Sequence, residues 1–189
     1  MATMRGGMGV AAMVFVVLLT TAESTLNYNY YDNTCPSFAK TVRDAVANKQ
    51  IASPTTAAAT IRLFFHDCFV SGCDASVLVA STPFNSAERD ADINLSLAGD
   101  AFDLITRVKT TLELECPQTV SCADILAVAT RDLVSMAGGP FFRVPLGRKD
   151  SRVSSSSYVE GQLPRPRMPL SQVLQIFQVC PFLFKSTYC

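Results

Sequence analysis

The chain has 189 residues, with 16 Lys and Arg against 16 Asp and Glu, so its formal net charge is zero. That length points to one domain, or one and a half, and zero charge leaves no global field for holding nucleic acid or an acidic membrane. Seven cysteines cannot all pair internally, and a single histidine excludes any two-histidine metal site.

Residues 1–22 read as a secretory signal peptide. Arg5 gives a short positive start, residues 10–19 form an apolar run, and Thr20 and Ala22 offer small residues for cleavage. The run falls short of the roughly 20 residues of a comfortable membrane span; a signal anchor is the alternative. Secretion makes cysteine pairing the default over cysteine-bound zinc. Pro36 is expected to open a helix to about Lys49, with Phe38, Val42 and Val46 on one face. Ser53 followed by Pro54 predicts a cap and first helical residue, with the alanine-rich stretch helical to about His66. Asp100 is expected to cap a helix carrying Phe102, Ile105, Val108 and Leu112, stopped by Cys116-Pro117. Ser121 begins the next, with Ile125, Leu126, Ala129 and Leu133 as its stripe and Gly138-Gly139 at its end. Residues 140–150 suit a short strand, residues 151–169 read as loop, and Ser171 caps a last short helix. The fold class is all-α with long connections.

The chemistry concentrates in residues 62–76. Arg62 and His66 are four apart on the second helix and share a face. A fixed cation beside an imidazole suits proton transfer accompanied by developing negative charge; a surface arginine and a histidine near a helix C-terminus fit the same spacing. Asp67, Asp74 and Ser76 follow, with Val70 and Gly72 able to turn carbonyls inward. These are hard oxygen donors, which favour calcium, and Gly72 permits a sharp turn. A solvated acidic turn is the plainer reading. A zinc site of His66, Cys68 and Cys73 is weaker, since no Cys-x-x-Cys pair is present.

Residues 62–76 resemble, nearly residue for residue, the distal-haem and calcium segment of the secreted plant haem peroxidases (class III). The similarity includes Tyr31-Asp32-Asn33-Thr34-Cys35-Pro36 upstream. Downstream it takes in Cys116-Pro117, residues 120–126, Gly138-Gly139-Pro140, residues 144–150, Leu163-Pro164 and the helix around Leu174 to Phe177. It covers about residues 25–178, roughly the N-terminal half of that family's domain. The expected organisation is signal peptide 1–22, peroxidase domain 23–178 and a divergent tail 179–189.

The resemblance implies haem b and one distal calcium as cofactors. It implies hydrogen peroxide and small phenolic donors as partners, a monomer, and secretion to the extracellular space, cell wall or vacuole, with a part in the response to oxidative stress. His66 is similar to the histidine that takes a proton from peroxide and returns it to the departing oxygen. Arg62 resembles the arginine that stabilises charge as the O–O bond breaks, and Phe65 the aromatic residue that shields the oxidised haem from bulky donors. Asn94 stands where the family's asparagine hydrogen-bonds the histidine and sets its tautomer. It also heads the sequon Asn94-Leu95-Ser96; the hydrogen bond is the favoured role. Asp67, Val70, Gly72, Asp74 and Ser76 match calcium ligands, Glu88 a glutamate tied to them through water, and Pro164 the reducing-substrate entrance.

Cys35–Cys116 and Cys68–Cys73 are similar to two family bridges. The first closes a loop of about eighty residues, worth on the order of 4 kcal/mol in the chain-entropy model. The family's partner for Cys122 falls beyond residue 189. After about Gln178 the resemblance ends, and no second histidine is present to ligate haem iron from the proximal side. Cys180, Cys189 and Met168 have no spacing that recommends them for that position. A truncated or alternatively spliced product, or a gene model reading into an intron, is the expected origin of the tail. The alternative function is a secreted calcium-binding remnant without catalysis.

Overall fold

A computed structural model gives the fold, and it describes residues 26–179. The signal peptide and the tail cysteines Cys180 and Cys189 lie outside the described residues. Within them are six α-helices: α1 (Phe38–Ala52), α2 (Thr56–Cys68), α3 (Gly99–Glu115), α4 (Cys122–Met136), the single turn α5 (Ser156–Val159) and α6 (Leu170–Val179). Two 3-10 turns, Ser76–Leu78 and Glu88–Asp90, lie between α2 and α3. Among the described residues there is no strand, only isolated bridges.

α1 buries Phe38, Val42 and Val46, the face its spacing predicts. α2 starts later than expected. Ser53, kept extended as the residue before Pro54, ends α1 by donating its N–H to the Lys49 carbonyl at 2.8 Å. The second helix is entered from Thr55. Asp100 is likewise no cap, since α3 is entered from Ala98. Its carboxylate accepts from Thr56 Oγ1 at 2.6 Å and pairs with Lys49 Nζ at 2.6 Å, so it joins α1, α2 and α3. Ser121 does cap α4, accepting from the Asp124 N–H at 3.2 Å. Asp150 assists it from the far loop by accepting from the Cys122 and Ala123 N–H groups, both at 2.9 Å. α6 already runs through Ser171, because the Pro169 carbonyl accepts the first bonds, from Gln172 and Val173.

α4 is the centre of the fold. Every residue from Ala123 to Leu133 is buried, against the single stripe expected from spacing. It packs on α1, α2 and α3, and its buried alanines at 123, 127 and 129 allow close approach of those helices. The loop 140–150 does not form a strand. Leu146 exchanges two backbone bonds with Asn27, at 2.8 and 2.9 Å, and the pairing stops there. Pro145 lacks an N–H, and Gly147 turns away at φ 114°, where a Cβ would meet the Tyr30 ring at 3.0 Å. Beneath this bridge Asp124, fully buried, gathers the Tyr31 hydroxyl at 2.8 Å, the Gly147 N–H at 2.7 Å and the Arg148 guanidinium at 3.0 Å.

Both disulfides implied by the resemblance are present, Cys35–Cys116 joining the start of α1 to the end of α3 and Cys68–Cys73 closing the loop after α2. Cys122 is the free cysteine among the described residues; burial, then the adjacent Asp150, pushes its thiol up to about 12.

The Lys49 bridge predicts an acid-sensitive joint. Hydrogen bonds from Lys49 hold Asp100 and Asp103 below the ordinary carboxylate value of 3.8. A carboxyl with a depressed folded value contributes stability above its unfolded value and loses it as pH falls. Urea midpoints of the parent and Lys49→Met are therefore expected to differ at pH 6 and to converge toward pH 3. A gap that persists unchanged at pH 3 would show that Lys49 acts through packing alone.

Candidate active site

His66 lies on the last turn of α2, buried, with its ring Nδ1 2.6 Å from Asn94 Oδ1. Asn94 is only 2% exposed, and its amide nitrogen donates to the Glu88 carbonyl at 2.7 Å. That bond orients Oδ1 toward the imidazole, which assigns the proton to Nδ1 and leaves the lone pair on Nε2. With both amide atoms engaged in the interior, the sequon Asn94-Leu95-Ser96 offers no free amide in the folded chain. One turn back along α2, Arg62 directs Nε at His66 Nε2 across 3.4 Å. Its other donors reach the Ser96 carbonyl at 2.9 Å, Ser96 Oγ at 2.8 Å and the Ile93 carbonyl at 3.4 Å. Burial first, and the Arg62 charge with it, push His66 below its ordinary value, while the Asn94 bond acts the other way. The imidazole is thus disposed to stay neutral with an accepting Nε2.

Phe65 stands beside this pair, its ring centroid 6.0 Å from that of His66 and 4.1 Å from that of Phe69. Phe177 of α6 covers both rings, at 6.3 and 5.1 Å. Leu163 belongs to the same small apolar cluster, and Pro164 next to it in the chain is half-buried.

The loop after α2 turns back under the helix. Gly72, at φ 119°, takes a conformation that side chains resist, and its carbonyl accepts from the Asp74 N–H at 3.0 Å. Asp67 is fully buried and accepts from the Ala75 and Val77 N–H groups at 3.0 and 3.4 Å. Asp74 accepts from the Ser76 N–H at 3.1 Å, and Ser76 Oγ donates to Glu88 Oε2 at 2.9 Å. The Val70 side chain is half-buried against the Phe69 cluster. Among the described residues no three His, Cys, Asp or Glu side chains converge as a metal-holding group. The loop nevertheless fits a hard cation. Among the described residues Asp67 has no Lys or Arg partner, and Glu88 Oε1 is buried with no hydrogen-bond partner. Burial, and with it the charge of Asp74, raises Asp67 well above its usual range and Glu88 to about 7. Calcium held by Asp67, Asp74, Ser76 and the Val70 and Gly72 carbonyls would offset that cost.

Two links were not visible in the residue pattern. Glu88 serves both regions, its carboxylate turned to Ser76 and its carbonyl to Asn94, and it is itself fixed by Ser154 Oγ accepting its N–H at 3.0 Å. Ser96 and Ile93 anchor Arg62. The sequon drew attention to Ser96 for a different reason, and nothing marked Ser154 within its serine run.

Among the described residues His66, Arg62 and Asn94 thus form one hydrogen-bonded group at the end of α2. His66 is the single histidine of the 189-residue sequence, and its Nδ1 is already engaged with Asn94. The family model for peroxidase matches residues 40–182. The chain belongs to the peroxidase family. Peroxidase 31 of Arabidopsis thaliana is 61% identical over 158 residues, covering 84% of this chain and 50% of the relative. Peroxidase 63 of the same plant is 57% identical over 163 residues, with 86% and 50% covered. Peroxidase 41 is 56% identical over 175 residues, with 92% and 54% covered. This peroxidase chain thus spans about half the length of the curated relatives it matches. No helix among its described residues is long and apolar enough to cross a membrane.

Proposed function

We propose that this chain carries the peroxide-handling half of a haem peroxidase that oxidises small phenolic donors with hydrogen peroxide. One observation carries the reading: the Asn94–His66–Arg62 arrangement leaves an accepting Nε2 beside a fixed guanidinium. Haem, when bound, supplies the redox chemistry that breaks the O–O bond and is restored by donor oxidation. The chain's own residues move the proton. His66 Nε2 takes one proton from hydrogen peroxide and delivers it to the oxygen that departs as water, while Arg62 offsets the negative charge that grows on that oxygen. Phe65 keeps bulky donors away, and Pro164 borders the donor entrance. Asp67, Val70, Gly72, Asp74 and Ser76, with Glu88 behind them, hold calcium and so fix the end of α2 that carries His66. Secretion and a part in the response to oxidative stress accord with this chemistry and with the disulfides.

The test is addition of haem and calcium to the purified 189-residue chain. A shifted Soret band and guaiacol oxidation are the expected results; absence of both overturns the reading for this chain. Calcium is tested separately by melting. At a hundredfold excess over its Kd, one bound calcium contributes about 2.7 kcal/mol, or roughly 5–10 °C of Tm. Asp67→Asn is expected to abolish the gain. Identical melting in calcium and in chelator removes calcium from the proposal.

A further inference from the structure

A cavity of about 250 Å³ opens between α1, α4, the segment around Tyr28 and the 141–146 loop. It shares no residue with the His66 network or the 67–76 loop, and the proposed peroxide chemistry does not use it. Its charged lining consists of Arg43, Arg131 and Arg143 against Asp32; with Arg131 paired to Asp132 beside the cavity, a local excess of one positive charge remains.

Those guanidiniums are only partly spent. Arg131 gives Nε to Asp132 Oδ1 at 2.6 Å and Nη1 to the Phe142 carbonyl at 3.3 Å, and its Nη2 makes no hydrogen bond among the described residues. Arg143 lies over the Tyr28 ring, 4.2 Å from its centroid, and Arg131 over the Phe141 ring at 4.8 Å. Stacking uses the flat face of a guanidinium and leaves its edge donors free to form a fork. Neither Arg143 nor Arg43 pairs with a carboxylate among the described residues, although Lys49, Arg107, Arg148 and Arg165 all do. The inner wall is apolar, formed by the buried side chains of Phe38 and Val128.

An apolar floor, aromatic sides and unspent guanidinium edges call for a flat ligand with one anionic end. A simple inorganic anion would leave the floor wet, and a neutral ring would leave the guanidinium donors unpaired. A dry cavity of about 150 Å³ accommodates benzene, so this one has room for a single ring and a short acidic arm. We propose that the cavity between α1 and α4 binds a single-ring aromatic carboxylate. The ring lies against Phe38, Tyr28 and Phe141, and the carboxylate takes the edge donors of Arg43 and Arg143. This reading is independent of haem, and neither its success nor its failure bears on the His66 chemistry.

The test is titration of benzoate into the 189-residue chain, followed by saturation-transfer NMR of the ring protons and by calorimetry. Benzamide, the neutral isostere, is expected to bind at least tenfold more weakly. Arg43→Gln and Arg143→Gln are each expected to weaken benzoate roughly tenfold, as loss of a charge-assisted bond does. Both arginines are exposed, so these variants keep the fold. Ala39→Leu, which fills the cavity without changing charge, is expected to abolish binding with the helical circular dichroism intact. Four results would each overturn the proposal. These are no binding up to about 10 mM, the weak limit for a ligand of this size, equal affinity for benzamide, displacement by inorganic phosphate at matched concentration, and unchanged affinity in the Arg43→Gln/Arg143→Gln double variant.

Discussion

Asp124→Ala is expected to lower the unfolding free energy by about 3–5 kcal/mol, the cost of removing one partner of a buried charged pair. The carboxylate is fully buried on the central helix and gathers four donors from two segments: Tyr31 Oη, and from the loop the Gly147 N–H and both the backbone N–H and the guanidinium of Arg148. Alanine leaves the guanidinium without its counter-charge and the Tyr31 hydroxyl without its acceptor. Burial pushes that phenol well above its ordinary value, so it stays protonated, donating to Asp124 while accepting from the Ser121 N–H at 3.3 Å. Losing the carboxylate also frees the turn at Gly147, which holds the Leu146–Asn27 bridge. Tyr31→Phe, which removes a single donor, is expected to cost about 1 kcal/mol. Urea titrations followed by helical circular dichroism compare the two. An Asp124→Ala loss no greater than that of Tyr31→Phe would mean that the network is surface decoration. Against a typical native stability of about 5–15 kcal/mol, the predicted loss brings the variant close to unfolding.

His66→Ala is expected to slow the peroxide step by about 10²–10⁴-fold, the usual contribution of a positioned acid–base group. The estimate belongs to the haem-loaded protein and is measured as the rate of spectral change on mixing with hydrogen peroxide. The expectation rests on position. Asn94 fixes the ring from one side, at 2.6 Å, and its own amide is held by the Glu88 carbonyl at 2.7 Å, so the imidazole cannot turn without breaking its bond to an acceptor that is itself held in place. Alanine removes the acceptor but leaves Arg62 anchored on Ser96 and Ile93. A variant with an undiminished peroxide step and unchanged haem binding would show that Nε2 handles no proton. Asn94→Leu separates chemistry from positioning. It should slow the peroxide step less than His66→Ala does, because the base survives with its orientation loosened.

Much of this arrangement was legible in the residues. Arg62 and His66 share a helical face because they are four residues apart, and the fold places them 3.4 Å apart. The residues of the 67–76 loop are contiguous, so the turn at Gly72 and the Cys68–Cys73 bridge already confine them. Helix starts were less legible. Ser53 and Asp100 have the chemistry of caps, yet Ser53 is held extended by Pro54 and Asp100 is drawn to Lys49 and Thr56. α4 showed one apolar stripe in sequence and is buried on every face, because a periodic pattern does not reveal how many neighbours a helix will have.

The sequence by itself determined what lies within a helical turn or a short loop: the helices, the facing of Arg62 and His66, the oxygen-rich loop closed by Cys68–Cys73, and the family. These depend on contacts three to ten residues apart, which backbone geometry sets locally. Only the tertiary structure decided how Glu88 ties the donor loop to Asn94, how Ser96 anchors Arg62, and how three arginines meet around one cavity. Those contacts join segments from six to about a hundred residues apart along loops without regular structure. The paths of those loops are set by the packing of α1 to α4, which no local pattern encodes.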